Sequence, residues 1–290
     1  MKSAPFSYYA PQTVDEALAL LAEFAEDGGR VIAGGQSFVP MMAFRLARPP
    51  QLIDINGIAE LSALAIEDGV LRIGAIVRHA MLESMTIGGA LGRVLSTVAG
   101  SIAHLPIRNR GTFCGSLVHA DPSAEWCLVA ATLSAEIVTR SVRQTRRVSA
   151  TDFMLGIMTT DLAADELVTE CRIPLLPDGT RFGFHEVSRR AGDFAMAAAL
   201  VTYRLDGGRM ADVRVGIGGV EPNPRRLYDV EAMLTGELPD AVGFDKAAEM
   251  AANGVDPMED HHNTPAFRRQ LTRAVIRRAF ESSLSGKDPA

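Results

Sequence analysis

Apolar residues in the first hundred positions recur at helical or strand-like spacing over short segments. Thr13 and Glu16 form a capping box, and the apolar residues behind it repeat at the spacing of one helix face, which predicts a helix over residues 14–25. The same two periods predict strands over 30–32, 51–55 and 70–77, and helices over 39–46, 79–85 and 91–102. These segments show no fixed period of a repeat protein.

The segment from residue 105 to residue 133 combines a long loop with a helix. Residues 105–125 contain glycines, prolines, arginines and a histidine, a composition typical of a loop. Asp121-Pro122-Ser123 is a helix-start signal, and the apolar run behind it predicts a helix that reaches Leu133. Strands are predicted over 135–139 and 166–173. A turn-rich link over 174–183 then predicts a domain boundary near residue 177.

Beyond the link the pattern favours strands and ends in a helix. Residues 196–205 and 211–220 flank Gly207-Gly208, which predicts a β-hairpin. Thr264-Pro265 begins a terminal helix with five arginines between residues 267 and 284, which suit either a solvated face or a contact with a partner subunit. We therefore predict an α+β chain with two domains, residues 1–177 and 178–290.

Composition narrows the class of protein. A chain of 290 residues with 47% apolar and 22% charged residues is typical of a globular protein and excludes a disordered or fibrous one. The net charge of −6 disfavours a nucleic-acid binder, and no apolar run approaches the roughly 20 residues of a membrane span. The N-terminus lacks the apolar core of a secretory signal, and three cysteines without C-x-x-C spacing suit a reducing compartment. We expect a cytoplasmic protein.

Two glycine-containing motifs are candidates for anion binding. Each is open to a plainer interpretation, because a Gly-Gly pair is often only a tight turn, and the nearby Arg108 and Arg110 are often solvated charges. Two such motifs in one domain suit a large diphosphate cofactor held at two places. The candidate residues are Ala33, Gly34, Gly35, Gln36 and Ser37 in the first motif, and Thr112, Phe113, Cys114, Gly115 and Ser116 in the second.

Motifs of several other chemistries are missing from the sequence. It has no P-loop, no G-x-G-x-x-G that opens a helix and no G-x-S-x-G, and its cysteines lack the spacing of a zinc or iron–sulfur site. His119 is more often a hydrogen-bonding or solvent-facing residue than a catalytic one, and His261-His262 suits a solvated loop better than a metal site. We predict no catalytic residue and no metal ligand in this chain.

Three segments together resemble a known family. VIAGGQSFVPMMAFRLARPPQLIDI, IRNRGTFCGSLVHADPSAE and FHEVSRRAGDFAMAA are similar to the FAD-binding medium subunit of the molybdenum hydroxylases, the xanthine dehydrogenase, carbon monoxide dehydrogenase and quinoline oxidoreductase type. The resemblance covers nearly the whole chain. It implies a two-subdomain FAD-binding domain of the PCMH, or vanillyl-alcohol-oxidase, type. A small α+β domain like that at the C-terminus of the carbon monoxide dehydrogenase flavoprotein would follow.

The resemblance also implies roles for single residues. Both glycine motifs would hold the FAD pyrophosphate, with Cys114 in place of a glycine common in the family. Gln36 stands where relatives in the wider fold have an attaching histidine, which implies noncovalent FAD. The remaining implied contacts are Ile102 beside the flavin, Glu125 on sugar or ribityl hydroxyls, Val168 on an apolar part, His185 where relatives often carry lysine, and Phe194 over the isoalloxazine.

The resemblance further implies a role within a complex. A large subunit with a molybdopterin cofactor would oxidise the substrate, and electrons would pass through [2Fe–2S] clusters of a small subunit to this FAD and then to an external acceptor. A dimer of heterotrimers, a heterohexamer, and an aromatic N-heterocycle as substrate are expected. The alternatives are a stand-alone FAD-dependent oxidoreductase of the same fold, a carbon monoxide dehydrogenase medium subunit, or a binding module that has lost flavin.

Overall fold

A small parallel sheet opens the structure, a computed structural model that describes residues 2–84, 87–261 and 263–285. Its order is β1-β3-β2, formed by β1 (Ser7–Tyr9), β2 (Arg30–Ile32) and β3 (Gln51–Asp54). Helix α1 (Val14–Phe24) connects β1 to β2, and α2 (Phe38–Ala43) follows β2. Thr13 is confirmed as the N-cap of α1, because its Oγ1 accepts from Glu16 N at 3.2 Å. The Glu16 carboxylate accepts from Gln12 N at 2.7 Å rather than from the Thr13 N–H of a strict capping box.

The rest of the N-terminal half is built on a five-stranded antiparallel sheet of order β4-β5-β10-β6-β7. Its strands are β4 (Leu64–Glu67), β5 (Val70–Gly74), β6 (Glu136–Arg140), β7 (Thr145–Ser149) and, after a short hairpin of β8 (Met154–Gly156) and β9 (Thr159–Thr160), β10 (Leu167–Pro174). Helices between β5 and β6 cover it: α3 (His79–Glu83), α4 (Gly89–Ser101), α5 (Leu105–Arg108), α6 (Phe113–His119) and α7 (Glu125–Thr132), with α8 (Ala150–Phe153) after β7.

The C-terminal part is a four-stranded antiparallel sheet with helices on one face. Strands β11 (Arg181–Val187), β12 (Ala197–Asp206), β13 (Arg209–Gly218) and β14 (Arg225–Arg226) lie in chain order. Helices α9 (Tyr228–Leu234), α10 (Ala241–Gly254) and α11 (Pro265–Ser285) follow. The predicted hairpin is confirmed as β12 and β13, and the turn residues Gly207 and Gly208 have φ of 55° and 83°, which favours glycine at both positions.

The two hydrophobic cores meet at β12. Ala198 and Leu200 belong to the N-terminal core, whereas Ala199 and Val201 belong to the core under α10 and α11. Because side chains alternate along a strand, one face of this sheet packs on α7 and the other packs on its own helices. The sheet is therefore buried on both faces, which explains why the β12 sequence is almost continuously apolar.

Several predictions of secondary structure were wrong in detail. The predicted loop over 105–125 contains α5 and α6, and the predicted start of the next helix at Asp121 is an Asx turn, with Asp121 Oδ1 accepting from Ser123 N at 2.9 Å, before α7 begins at Glu125. The sequence did not predict seven of the strands, which are short or carry many polar residues: β1, β4, β7, β8, β9, β11 and β14. In the predicted helix 79–85, Met85 lies outside the described residues, as does His262.

The arginines of α11 mostly bind partners within the same chain. Arg268 is buried and donates to the Met196 carbonyl at 2.9 Å, while Arg273 pairs with Glu249 of α10 at 2.6 Å and Arg277 with Asp245 of α10 at 3.3 Å. They serve mainly to attach this helix to its own domain, so neither interpretation offered by the sequence fits all of them. No helix in the described part of the chain has the length and apolar content to cross a membrane.

Candidate functional site

A cleft of about 400 Å³ lies between the small parallel sheet and the five-stranded sheet. Both glycine-containing motifs border it, although Ser37 at the end of the first motif and Thr112 at the start of the second are 75 positions apart in the sequence. Ten of the residues singled out in the sequence line this cleft: Ala33, Gly34, Gly35, Gln36, Ser37, Thr112, Cys114, Gly115, Ser116 and Val168. The structure thus brings the two motifs to one site.

The first motif leaves β2 and presents free backbone donors to the cleft. No described residue accepts a hydrogen bond from the backbone N–H groups of Gly34, Gly35, Gln36 or Ser37. Gly35 has φ of 71°, which favours glycine. The Gln36 side chain donates back to the Gly34 carbonyl at 2.9 Å. Successive backbone N–H groups without an acceptor carry partial positive charge and are the kind of donors that bind an anion.

Gly34 is required by the contact between the two motifs. A Cβ added to Gly34 would collide with the Arg110 carbonyl and lie 2.8 Å from the Gly111 Cα. The first motif therefore touches the backbone just before the second. Because a side chain at position 34 would separate them, this glycine serves close packing, and Gly35 supplies the positive φ.

The second motif begins a helix, where the sequence predicted a loop. Thr112 is the N-cap of α6, and its Oγ1 accepts from Gly115 N at 3.1 Å. The backbone N–H groups of Thr112 and Cys114 have no acceptor among the described residues. Phe113 N–H donates to the Val77 carbonyl at 3.1 Å, and its side chain packs against Trp126 with ring centroids 4.8 Å apart. Phe113 is thus a core residue of the motif, fully buried away from the cleft.

Asn56 and Arg78 connect the two motifs through their side chains. Asn56 Nδ2 donates to the Ala33 carbonyl at 2.8 Å, and Asn56 Oδ1 accepts from Arg78 Nη2 at 2.5 Å. Arg78 Nη1 donates in turn to the Arg110 carbonyl. We call this chain of hydrogen bonds from Ala33 to Arg110 the Asn56–Arg78 bridge. It fixes the spacing of the two motifs, and neither of its side chains was predicted from the sequence.

His79 lies beneath the second motif and lines the cleft. Its Nδ1 accepts from Trp126 Nε1 at 2.8 Å, so the proton of the neutral ring is on Nε2. Burial, and then the charges of Arg78 and Arg108, lower the pKa of His79 to about 4. The ring is therefore neutral at neutral pH. Nε2 has no hydrogen-bond partner among the described residues and lies against Gly111.

Arg108 and Arg110 do not form a cationic wall of the cleft. Arg108 pairs with Glu83 at 2.7 Å and also donates to the carbonyls of Ile102 and Ala103. Arg110 contributes its carbonyl to the Asn56–Arg78 bridge. The Cys114 thiol is buried, donates to the Ile73 carbonyl at 3.5 Å and has a pKa raised by burial. Neither Arg108 nor Arg110 lines the cleft, whereas Arg30 does and donates to the Gly29 carbonyl at 3.0 Å, so the two motifs themselves offer the cleft backbone N–H groups.

Five residues implied by the resemblance lie outside the lining of this cleft. Phe113 is in the core, Ile102 ends α4 with 8% of its surface exposed, and Glu125 is the buried first residue of α7. His185 is on the face of β11 toward α11, where its Nε2 lies 3.2 Å from Arg278 Nη1. Phe194 is 67% exposed on the loop before β12.

Glu186 is a half-buried acid that interacts electrostatically with Glu125, and no sequence pattern pointed to it. It alternates with His185 on β11 and so lies on the face toward the N-terminal half, like Phe184. Glu186 Oε2 is buried without a hydrogen-bond partner. Burial, and then the Glu125 charge, raise the pKa of Glu186 to about 8, and burial raises the pKa of Glu125 to about 7. No set of three or more potential ligand side chains in the described residues could hold a metal ion.

Comparison with protein families agrees with this geometry. Residues 4–176 match the model described as FAD binding domain in molybdopterin dehydrogenase, and residues 182–283 match the model described as CO dehydrogenase flavoprotein C-terminal domain. The first model spans both glycine motifs and the cleft between them. This chain belongs to the family of FAD-binding medium subunits of molybdenum hydroxylases, which are parts of oxidoreductase complexes.

Relatives of known activity and structure match over almost their whole length. The nicotine 6-hydroxylase medium subunit of Paenarthrobacter nicotinovorans is 34% identical, with 97% of this chain and 98% of that protein covered. A crystal structure of quinoline 2-oxidoreductase from Pseudomonas putida 86 has a TM-score of 0.91 at 35% identity, covering 99% of each chain. Carbon monoxide dehydrogenase from Hydrogenophaga pseudoflava, lacking the Mo-pyranopterin moiety of its molybdenum cofactor, has a TM-score of 0.91 at 31% identity, covering 98% and 99%.

Proposed function

We propose that the cleft holds the FAD pyrophosphate between the two glycine motifs. Six unpaired N–H groups, at Gly34, Gly35, Gln36, Ser37, Thr112 and Cys114, border it and carry the proposal. A diphosphate accepts several hydrogen bonds at once, and backbone donors near a helix start stabilise its charge without a lysine or arginine. The residues present therefore fit this cofactor.

The other residues implied by the resemblance divide into those that line this cleft and those that do not. Ala33, Gly115 and Ser116 line the cleft beside the diphosphate, and the buried Val168 contacts an apolar part of the cofactor. Gln36 has no nucleophilic atom to form a bond with flavin, so the cofactor is held noncovalently. Ile102, Glu125, His185 and Phe194 stay predictions for the flavin end, because they lie outside the lining of this cleft.

His79 adds a donor that the sequence did not suggest. Its Nε2–H is at the cleft wall and has no acceptor in the described chain, so a cofactor oxygen can satisfy it. The Asn56–Arg78 bridge holds the two motifs at the separation that the diphosphate needs. We therefore assign His79 to direct contact with FAD, and Asn56 and Arg78 to positioning.

Within a complex, this chain would hold the cofactor from which electrons pass to an external acceptor. Bound FAD exchanges electrons one or two at a time. We propose that it receives them from [2Fe–2S] clusters of a small subunit, while a large molybdopterin subunit oxidises the substrate. The chain's own residues hold the cofactor and shield it from water.

An aromatic N-heterocycle is the substrate class that we propose for the complex. Nicotine and quinoline, in the names of two relatives with 34% and 35% identity, are both N-heterocycles, whereas the carbon monoxide dehydrogenase is 31% identical. The difference is small, and a carbon monoxide dehydrogenase medium subunit stays the alternative. Co-purification with the other two subunits, followed by assay on quinoline-type substrates and on carbon monoxide, distinguishes the two.

Flavin titration tests the cofactor site directly. The flavin-free chain is titrated with FAD while flavin fluorescence is recorded, and we expect saturable binding at micromolar FAD. Gly34→Ala should weaken binding by at least about tenfold, because one methyl group separates the two motifs. Gly100→Ala is the matched control, since a Cβ there meets no atom within 4 Å. Equal affinity for FAD in both variants would contradict the site.

A stand-alone FAD-dependent oxidoreductase is the second candidate function. The purified chain would then oxidise a substrate without partner subunits. Turnover of a substrate by the FAD-loaded chain alone supports that function, and its absence together with activity of the assembled complex supports the subunit role.

A further inference from the structure

A second cavity, of about 450 Å³, lies between the interdomain link and the C-terminal sheet. Leu175, Leu176 and Pro177 of the link form one wall, and Arg204, Arg214 and Arg226 extend from β12, β13 and β14. None of these residues lines the cofactor cleft. The cavity is therefore a separate feature, and the proposed function gives it no role.

The sheet register shows that Arg214 points toward the N-terminal half of the chain. Arg214 pairs with Thr202 and precedes Gly216 by two residues, so the three share one face. A Cβ at Gly216 would contact the Thr132 side chain of α7, which identifies that face as the one against α7. Arg226 lies opposite Gly216 and reaches Ser134 Oγ at 3.4 Å. Both guanidinium groups thus meet at the domain junction.

The charges at this junction do not balance. Arg204 pairs with Asp212 at 2.6 Å, and Arg226 pairs with Glu231 at 2.6 Å. The Arg214 guanidinium has no hydrogen bond or ion pair with any described residue, and its Nη1 is buried without a partner. Three guanidinium groups therefore face two carboxylates. A half-buried guanidinium without a counter-ion is costly, and an anion with two oxygens matches its planar donors.

We infer that this cavity is a binding site for a carboxylate attached to an apolar group. The Arg214 guanidinium donates to the carboxylate, and Leu175, Leu176 and Pro177 enclose the apolar part. Such a carboxylate has two sources, a free small molecule or an acidic side chain of a partner subunit. Binding would connect the link to the C-terminal sheet, so the ligand stabilises the junction between the two halves.

Benzoate is the probe, used with the FAD-loaded full chain so that the cofactor cleft is filled. Calorimetric titration at constant ionic strength should show saturable binding of benzoate at millimolar concentration, and none of benzamide, which has the same shape without the charge. Absence of saturable benzoate binding, or equal binding of benzamide, overturns the inference.

Arg214→Gln should weaken benzoate binding by at least about tenfold, because it removes the unpaired charge and the planar donor pair. Arg214→Lys keeps the charge and should give an intermediate affinity. Arg181→Gln, an exposed change on the same sheet outside the cavity, is the control and should bind like the wild type. FAD content and circular dichroism verify that each variant is folded. A folded Arg214→Gln that binds benzoate normally contradicts the site.

The assembled complex distinguishes the two sources. If benzoate still binds the complex, the site accepts a free carboxylate. If benzoate binds the free chain but not the complex, and Arg214→Gln weakens retention of the partner subunits, a partner supplies the carboxylate. The Gly34 titration tests the FAD site separately. If the chain binds no FAD, the same benzoate titrations are made on the flavin-free chain with circular dichroism as the folding check, so failure of the FAD site is distinguished from failure of this cavity.

Discussion

Trp126 Nε1 donates a hydrogen bond to His79 Nδ1 at 2.8 Å, although 47 residues separate them. The indole has only a donor, so the imidazole nitrogen it meets must be the acceptor, and the ring proton must be on Nε2. Trp126 is fully buried in α7 and also packs on Phe113 of the second motif. A core residue of one helix thereby sets the tautomer of a residue at the cofactor cleft.

The His79 donor leads to a prediction for cofactor affinity. His79→Leu should weaken FAD binding by about tenfold, the effect of losing one hydrogen bond to a charged group. His79→Gln places an amide nitrogen near the position of Nε2 and should recover most of the affinity. Fluorescence titration with FAD measures both. Equal affinity of the Leu and Gln variants would indicate that His79 only fills space, and an unchanged affinity in both would remove it from the site.

The Asn56–Arg78 bridge leads to a prediction about positioning. Asn56→Leu removes the contacts with the Ala33 carbonyl and Arg78, so the two motifs lose their fixed separation. FAD affinity should fall by about tenfold. Asn253→Leu is the control, because Asn253 is exposed on α10 and bonds only the Glu249 side chain at 3.3 Å. A loss of affinity as large in the control, or none in Asn56→Leu, would contradict the role of the bridge.

The sequence revealed the two glycine motifs but could not reveal what connects them. Glycine and hydroxyl residues leave a local pattern, and Gly35 has the positive φ that a Gly-Gly turn predicts, whereas Thr112 caps a helix where the sequence predicted a loop. Asn56, Arg78 and His79 leave none, because each acts through residues that are distant along the chain. The resemblance to a family pointed to Glu125 and His185 as cofactor contacts. The register of β11 shows that His185 faces α11, whereas its neighbour Glu186 faces the N-terminal half.

The neighbouring acids Glu125 and Glu186 lead to a prediction of pH dependence. Their pKa values in the folded chain, raised by burial to about 7 and about 8, lie above the ordinary value of an unfolded glutamate. The folded chain therefore binds protons at these two carboxyls more tightly than the unfolded chain does. Ionising these two carboxyls therefore lowers the free energy of unfolding. This loss is absent below about pH 4.5, grows as the pH rises, and is complete above the pKa values of the two groups in the folded chain.

Glu125→Gln stays neutral and should remove part of this loss. Relative to the wild type, the variant should gain unfolding free energy on going from pH 5 to pH 8, on the order of 3 kcal/mol at most. Urea unfolding of the flavin-free chain at several pH values measures it, with Glu23→Gln at an exposed position of α1 as the control. A difference between variant and wild type that does not change with pH would refute the raised pKa.

The contact between β13 and α7 leads to the last prediction, which concerns the junction of the two cores. A Cβ at Gly216 would collide with Thr132 Oγ1 and lie 2.9 Å from Leu128 Cδ1, both fully or almost fully buried. Gly216→Ala should therefore lower the unfolding free energy by about 1–3 kcal/mol, the range for overpacking a core. Thr132→Ala in the same chain removes the colliding hydroxyl and should recover part of the loss, which a double-mutant cycle in urea measures. Gly254→Ala, where a Cβ meets nothing within 4 Å, should be neutral or stabilising. If Gly216→Ala is as stable as Gly254→Ala, the sheet does not pack on α7 as closely as described.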